Sequence, residues 1–187
     1  MILTARLGMA GIILLALSCP ALGAPAKVGK PAPKFTISTF DKRKVTLDDL
    51  RGKVIVINYW ATWCAPCKAE MPMMDAYRRK LGAAGLEIYA VTTEGSVPKS
   101  KLRELERVLS FPLASSLRGG GYGVLDAVPT KYVIDRNGIL RYAKAGSFSV
   151  EEFGALILPL LREAAPRRSP RHLRKGDFRP AREGAGG

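Results

Sequence analysis

Histidine is almost absent from this chain: there is one, His172, in 187 residues. Cysteine is nearly as scarce, with three, at positions 19, 64 and 67. A structural zinc site takes four Cys or His ligands; with the one histidine in the C-terminal tail and no second cysteine pair, such a site is not expected. A copper carrier built on two cysteines would also want a third ligand, usually a core histidine, and the chain has none to give. Acids are short as well, 16 Asp and Glu against 30 Lys and Arg, for a formal net charge of +14. Much of that excess is terminal. Between Pro166 and Gly187 seven cations face only Asp177 and Glu183, a net five charges. Elsewhere acids are interleaved with the bases, and no basic face studded with aromatics appears, so a nucleic-acid partner is not expected. No internal repeat is visible.

The first 26 residues read as a targeting segment. Arg6 precedes the apolar run Leu7 to Leu17, followed by small residues with Pro20 and Pro25. Charge, apolar core and small residues in that order make an export signal. Cleavage is expected before Ala24 or after Ala26. Leu7 to Ala26 carries no charge over twenty residues, about the length that spans a bilayer, so an uncut anchor is the second reading. Lipidation at Cys19, after Leu17-Ser18, is the third. Each places the domain outside the cytoplasm, in the periplasm or an equivalent extracytoplasmic space, with the membrane touched only through an N-terminal anchor.

Residues 27–165 carry the pattern of one globular domain. Phe35-Thr36-Ile37 reads as a short edge strand and Val45-Thr46-Leu47 as another. Val54 to Tyr59 is an apolar run suited to a central strand covered on both faces. A helix follows from Cys64 or Pro66 to Leu81, with Pro66 in the first turn, where its missing N–H costs nothing. Leu86 to Val91 is a strand, Ser96 to Leu109 a helix and Phe111 to Ala114 a short strand. Arg118 to Val124 is a glycine-rich loop holding one helical turn. Thr130 to Asp135 and Ile139 to Ala143 form a hairpin about Arg136-Asn137-Gly138. Ser149 and Glu152 box the start of a last helix that ends near Ala165. Parallel strands joined by helices and closed by an antiparallel hairpin give a mixed α/β sandwich. Residues 166–187, rich in Arg, Pro and Gly, read as a disordered basic tail.

The chemistry gathers in Asn58 to Pro72, NYWATWCAPCKAEMP. The loop after a parallel strand opens at the carboxyl edge of the sheet, where function collects in such folds. Cys64 there stands at a helix N-terminus, whose free N–H groups and dipole favour a thiolate. Its sulfur is expected to be reachable by another protein's disulfide. Cys67, one turn further in, is near enough to close a small disulfide. A purely structural bridge across so short a loop would add little stability. A reversible redox pair is the better account, with no cofactor beyond the Cys64–Cys67 pair and no metal. Trp60 and Trp63 bracket the loop, as shields and docking surface or simply as one core and one surface aromatic.

The segment VIVINYWATWCAPCKAEMP resembles the active-site strand and helix of thioredoxin-fold proteins, with Trp63-Cys64-Ala65-Pro66-Cys67 matching WCxPC and Pro72 matching their helix-kinking proline. The lead-in VGKPAPKFTI, LDDLRGKVIVINYWATWC and the later block Ala127-Val128-Pro129-Thr130 with KYVIDRNG are similar to the TlpA/ResA-like branch. That resemblance implies a thioredoxin-like sandwich, a central mixed β-sheet flanked by helices. It implies that Cys64 attacks and Cys67 resolves, and that Pro129 is cis. It implies a peptide partner bound by Trp63, Ala65, Pro66, Val128 and Pro129. It also implies disulfide-bearing exported proteins as partners, apocytochrome c among them, and a membrane electron donor. A monomer is expected. Asn58 stands where thioredoxins proper keep a buried aspartate, and Glu70 offers a replacement. It lies on the Cys67 face at i and i+3. Glu70 is expected to be partly buried, with a raised pKa, exchanging a proton with Cys67; the alternative is a surface glutamate near Lys68 or Arg78. Lys131 departs from the family pattern and, with Gly119 to Gly123, is expected to flank the peptide groove. Met71, Met73 and Met74 read as helical core. The Ala65-Pro66 pair puts no histidine between the cysteines, which favours a net reductant over an oxidant. A copper metallochaperone and a thiol peroxidase are the competing functions.

Overall fold

The computed structural model describes residues 25–95 and 98–166, with the backbone alone at 99, 101 and 103. The expected leader up to Ala24 and the basic tail beyond Pro166 lie outside the described residues. In chain order the elements are β1 (Thr36–Thr39), β2 (Lys44–Thr46), a 3-10 turn (Asp48–Leu50), β3 (Val54–Trp60) and α1 (Ala65–Leu81). Then come β4 (Leu86–Thr92), α2 (Lys99–Val108), β5 (Leu113–Arg118), β6 (Thr130–Ile134), β7 (Leu140–Ala145) and α3 (Val150–Arg162).

The described strands form one mixed sheet in the order β2-β1-β5-β4-β3-β6-β7. β3 sits near its middle because all seven of its residues are buried, which only a strand with neighbours and cover on every side allows. It pairs in parallel with β4 and antiparallel with β6. Two successive parallel steps run the same way, from β3 to β4 to β5. Right-handed crossovers then put α1 and α2 on one face. One apolar cluster accordingly joins Val54, Val56 and Trp60 of β3 with Met71 and Met74 of α1, Leu102 of α2, and Phe153 and Ile157 of α3. The alternate β3 residues Ile55, Ile57 and Tyr59 enter a second cluster with Phe35, Ile37, Leu50, Tyr132 and Leu140, as the two-residue period of a strand requires. Full burial of each such side chain contributes roughly 1.5–3 kcal/mol.

Three expectations need correction. β1 is not an edge strand: it lies between β2 and β5, pairing antiparallel with both, because the β1–β2 hairpin leaves the outer position to β2. β5 runs on to Arg118, past the expected Ala114, since β1 offers it a second ladder. No helical turn forms between residues 119 and 129. Gly119 and Gly120 lie against the lead-in. Gly119 has φ +102°, and a Cβ on it would stand 2.7 Å from the Lys34 carbonyl oxygen; on Gly120, at φ +62°, it would stand 2.6 Å from Pro33. Only glycine tolerates both the left-handed backbone and that approach.

Helix α3 starts where the sequence places it. Ser149 accepts from the Glu152 N–H, and the Glu152 carboxylate accepts from the Ser149 N–H. It ends at Arg162, a turn short of Ala165. At the hairpin end of the sheet, Arg136 donates to the carbonyls of Gly52, Ala84 and Leu161 at 2.9, 2.6 and 2.8 Å. No helix among the described residues is long and apolar enough to cross a membrane.

Candidate active site

The site forms where three segments meet at the carboxyl end of β3. The first is the loop Ala61 to Cys64. It is held by Glu94, just beyond β4, whose carboxylate accepts from the Thr62 N–H and hydroxyl. The second is the first turn of α1. Cys64 is its N-cap, in extended conformation, and its Sγ accepts from the Cys67 N–H at 3.2 Å. The third is the chain entering β6. Pairing of Tyr59 with Thr130 and Asn58 with Lys131 sets the register. That register places Val128 and Pro129, joined by a cis peptide, just past the end of β3. Thr130 ties this corner with its hydroxyl, donating to the Ala127 carbonyl and accepting from the Leu125 N–H.

Cys64 and Cys67 are joined by a disulfide, their Cα atoms 5.3 Å apart. The Cys64 sulfur lies 3.7 Å from the Val128 carbonyl oxygen, a van der Waals contact while the sulfur carries no proton. Cys64 is 3% exposed and Cys67 fully enclosed. Cys64 is thus more sheltered than a helix terminus led one to expect, with its sulfur against the Val128 carbonyl. Around it the surface is open: Ala65 and Pro66 are exposed, and Trp63 is 70% exposed. Trp60 is core, at 1%.

Beneath the disulfide is a buried polar cluster. Glu70 stands one turn beyond Cys67, about 5–6 Å away between Cβ atoms at that spacing. Its side chain is 3% exposed, and its Oε1 lies 2.9 Å from Nζ of Lys131, whose side chain is 0% exposed. The contact is an ion pair lying off hydrogen-bond geometry at Oε1. Oε2 accepts from the Phe148 N–H at 3.2 Å. Nζ of Lys131 also donates to the Gly146 carbonyl at 2.7 Å and sits 5.0 Å from the centre of the Phe148 ring. Burial pushes the Glu70 carboxyl above its ordinary value, against the opposing pull of Lys131 and the Phe148 N–H. Burial likewise pushes the Lys131 ammonium down, against the pull of Glu70. Asn58 is fully buried, with neither side-chain polar atom hydrogen-bonded within the protein.

Glu70 is therefore inside, not at the surface beside Lys68 or Arg78; Lys68 is exposed and Arg78 pairs with Glu87. Lys131 corrects the sequence reading. Its side chain does not border a groove but runs under the site. The signal was present as a single lysine in the otherwise apolar or uncharged strand TKYVI, a placement that buries a charge unless a partner waits. Glu94 went unnoticed, since a glutamate in a loop carries no local sign of its target. Among the described residues no group of three or more His, Cys, Asp or Glu could hold a metal ion.

Residues 28–143 match the AhpC/TSA family model. The chain belongs to that family, in its TlpA/ResA-like branch. It is similar to the thiol-disulfide oxidoreductase ResA of Bacillus thuringiensis subsp. konkukian, with 32% identity over 142 residues, 68% of this chain and 81% of the relative. It is also similar to the thioredoxin-like protein YneN of Bacillus subtilis, with 32% identity over 66% of this chain and 75% of the relative. Among solved structures, a putative thiol:disulfide interchange protein DsbE from Chlorobium tepidum superposes with TM-score 0.60 at 25% identity, covering 73% of this chain and 99% of that one. A putative thiol-disulfide oxidoreductase from Bacteroides vulgatus gives TM-score 0.61 at 29% identity, covering 72% and 96%. This TlpA/ResA-like chain has the thioredoxin-like fold and is a thiol-disulfide oxidoreductase, with Cys64 and Cys67 as its CxxC pair.

Proposed function

We propose that this oxidoreductase works outside the cytoplasm as a net reductant of protein disulfides. The observation that carries the reading is a closable cysteine pair at a helix N-terminus, ringed by the exposed Trp63, Ala65 and Pro66 and by the Val128–Pro129 corner. The domain is residues 27–165, preceded by a leader or anchor and followed by the basic tail, and acts as a monomer. Its partners are exported proteins bearing disulfides, with cytochrome c maturation as the setting that the family resemblance favours. A membrane electron donor returns the pair to the dithiol.

In the reduced protein the Cys64 thiolate, favoured by the helix N-terminus, attacks one sulfur of the partner's disulfide. That S–S bond breaks, and the departing partner sulfur takes a proton. Cys67 passes its proton to Glu70, and its thiolate attacks Cys64. The mixed disulfide breaks, the second partner sulfur leaves and is protonated, and Cys64–Cys67 is restored. Two electrons have moved to the partner. Trp63, Ala65 and Pro66 present the contact surface, and the backbone of Val128 beside Pro129 pairs with the partner peptide.

The test is Cys67→Ser. Without the second thiol the mixed disulfide on Cys64 cannot resolve, so partners accumulate as covalent, dithiothreitol-sensitive adducts identifiable by mass spectrometry. Absence of adducts with a reactive Cys64 would refute the reading. A reduction potential near about −120 mV, a strong oxidant's, would overturn its direction. Peroxide consumption in place of protein disulfides, or tight copper binding by the reduced pair, would replace it.

A further inference from the structure

Lys131 is the only lysine or arginine buried among the described residues, and nothing in the exchange mechanism uses it. A fully buried lysine is rare and needs a partner. It leaves β6 opposite Asn58 of β3, two residues beyond Pro129, and ends on the carboxylate that stands one turn from Cys67. Its remaining contacts, the Gly146 carbonyl and the Phe148 ring, suit an ammonium and supply no anion.

We propose that Lys131 is the counter-charge of this site: its ammonium balances whichever of Glu70 and Cys67 carries the negative charge as a proton passes between them. The inference rests on the proton exchange just assigned to Glu70. Before transfer the trio is thiol, carboxylate and ammonium. Afterwards it is thiolate, carboxylic acid and ammonium. The S–H bond breaks with its electron pair left on sulfur, an O–H bond forms on Glu70, and the net charge is zero throughout. An enclosed site thereby moves a negative charge without ever holding an unbalanced one, which is the costly condition in a low-dielectric interior. Lys131 is a positioning residue, acting through Glu70.

The other groups facing Glu70 do not replace it. On its own helix is Cys67, with Cys64 at the N-cap. From β7 comes Tyr142, whose phenol is pushed up by burial and by Glu152 and Glu70; it is neutral. Lys144, exposed, stands over the outer ring of Tyr142 at 5.9 Å. The segment leading to α3 gives only the Phe148 N–H, and β3 gives the neutral Asn58.

The experiment follows the Glu70 side-chain carboxyl carbon by 13C NMR against pH in the oxidised protein, with Glu70→Gln to assign the signal. On this proposal Glu70 is expected to be ionised at neutral pH in the wild type. Lys131→Met raises its midpoint by about one pH unit or more, tenfold in proton affinity. Lys131→Gln, which keeps a donor for the Gly146 carbonyl, does the same. In both variants, reduction of a model peptide disulfide slows by a similar factor at neutral pH and recovers as pH rises and ionises Glu70. A merely structural ion pair would shift the midpoint too but leave the pH profile of peptide-disulfide reduction in place, and that outcome overturns the proposal. An unmoved midpoint in either folded variant overturns the proposal. So does a protonated Glu70 in the oxidised wild type at neutral pH, a measurement that needs no variant. A wild-type protein that exchanges no disulfides overturns instead the function on which the proposal stands.

Discussion

Splitting the Glu70–Lys131 pair has a predictable and asymmetric cost. Both side chains are enclosed, at 3% and 0% exposure, so solvent cannot take over the role of the missing partner. Removing one member of a buried pair costs about 3–5 kcal/mol, against a total stability of about 5–15 kcal/mol for a domain. Glu70→Gln leaves an ammonium that must stay charged and unpaired or give up its proton. Lys131→Met leaves a carboxyl that neutralises more readily. Glu70→Gln is therefore the worse of the two at neutral pH. The double variant returns most of the loss, with a departure from additivity of about 2 kcal/mol or more.

The pH dependence separates the two further. In Glu70→Gln, Lys131 loses the carboxylate that raised its pKa while burial still depresses it below the ordinary 10.5. The unfolded chain then binds the proton more tightly, and stability rises with pH through that window. In Lys131→Met, burial holds Glu70 above the ordinary 4.5 without the opposing pull. The folded chain then keeps a proton that the unfolded one has lost, and stability falls as pH rises from 4.5 through the folded value. Urea unfolding of the oxidised proteins at several pH values measures both. Equal pH slopes in the two single variants, or a loss under about 1 kcal/mol for Glu70→Gln, would refute the reasoning.

Two other perturbations follow from the same structure. Burial works to raise the Asp75 pKa, but hydrogen bonds from Ser110 and Arg79 outweigh it and hold the group below its ordinary 3.8. Asp75→Asn should thus cost about 1–3 kcal/mol at neutral pH, as loss of charge-assisted bonds does, and the deficit in urea unfolding should vanish as the wild type is acidified through that depressed value. Glu94→Ala frees the Thr62 N–H and hydroxyl; it should lower stability by about 1–2 kcal/mol and slow peptide-disulfide reduction while leaving the Cys64–Cys67 reduction potential unchanged.

What could be read in the sequence was what local patterns encode. The apolar run Val54 to Tyr59 of β3, the proline in the first turn of α1 and the Ser149–Glu152 box each specify their own geometry within a few residues, and the structure places them accordingly. Placement of β1 inside the sheet depends on β5, 77 residues away at the Ser115–Ser38 contact, and no short window carries that. The same holds at the site. Cys64 caps the helix that carries Cys67 and Glu70, and the three could be placed together by spacing. Lys131 and Glu94 reach it through tertiary structure, from β6 and from the end of β4. Lys131 looked like a groove residue because it neighbours Pro129 in sequence. The strand's alternation instead turns it inward, to the face that α1 covers.

Arg136 shows what the opposite pole contributes. One planar guanidinium fastens the chain before β3, the chain before β4 and the last turn of α3, the whole length of β3, about 20 Å, from the cysteines. That end is anchored by one side chain on backbone carbonyls, acceptors that do not depend on the side chains of the residues that carry them. The hold at that end asks nothing of the exposed residues Trp63, Ala65 and Pro66 at the working end.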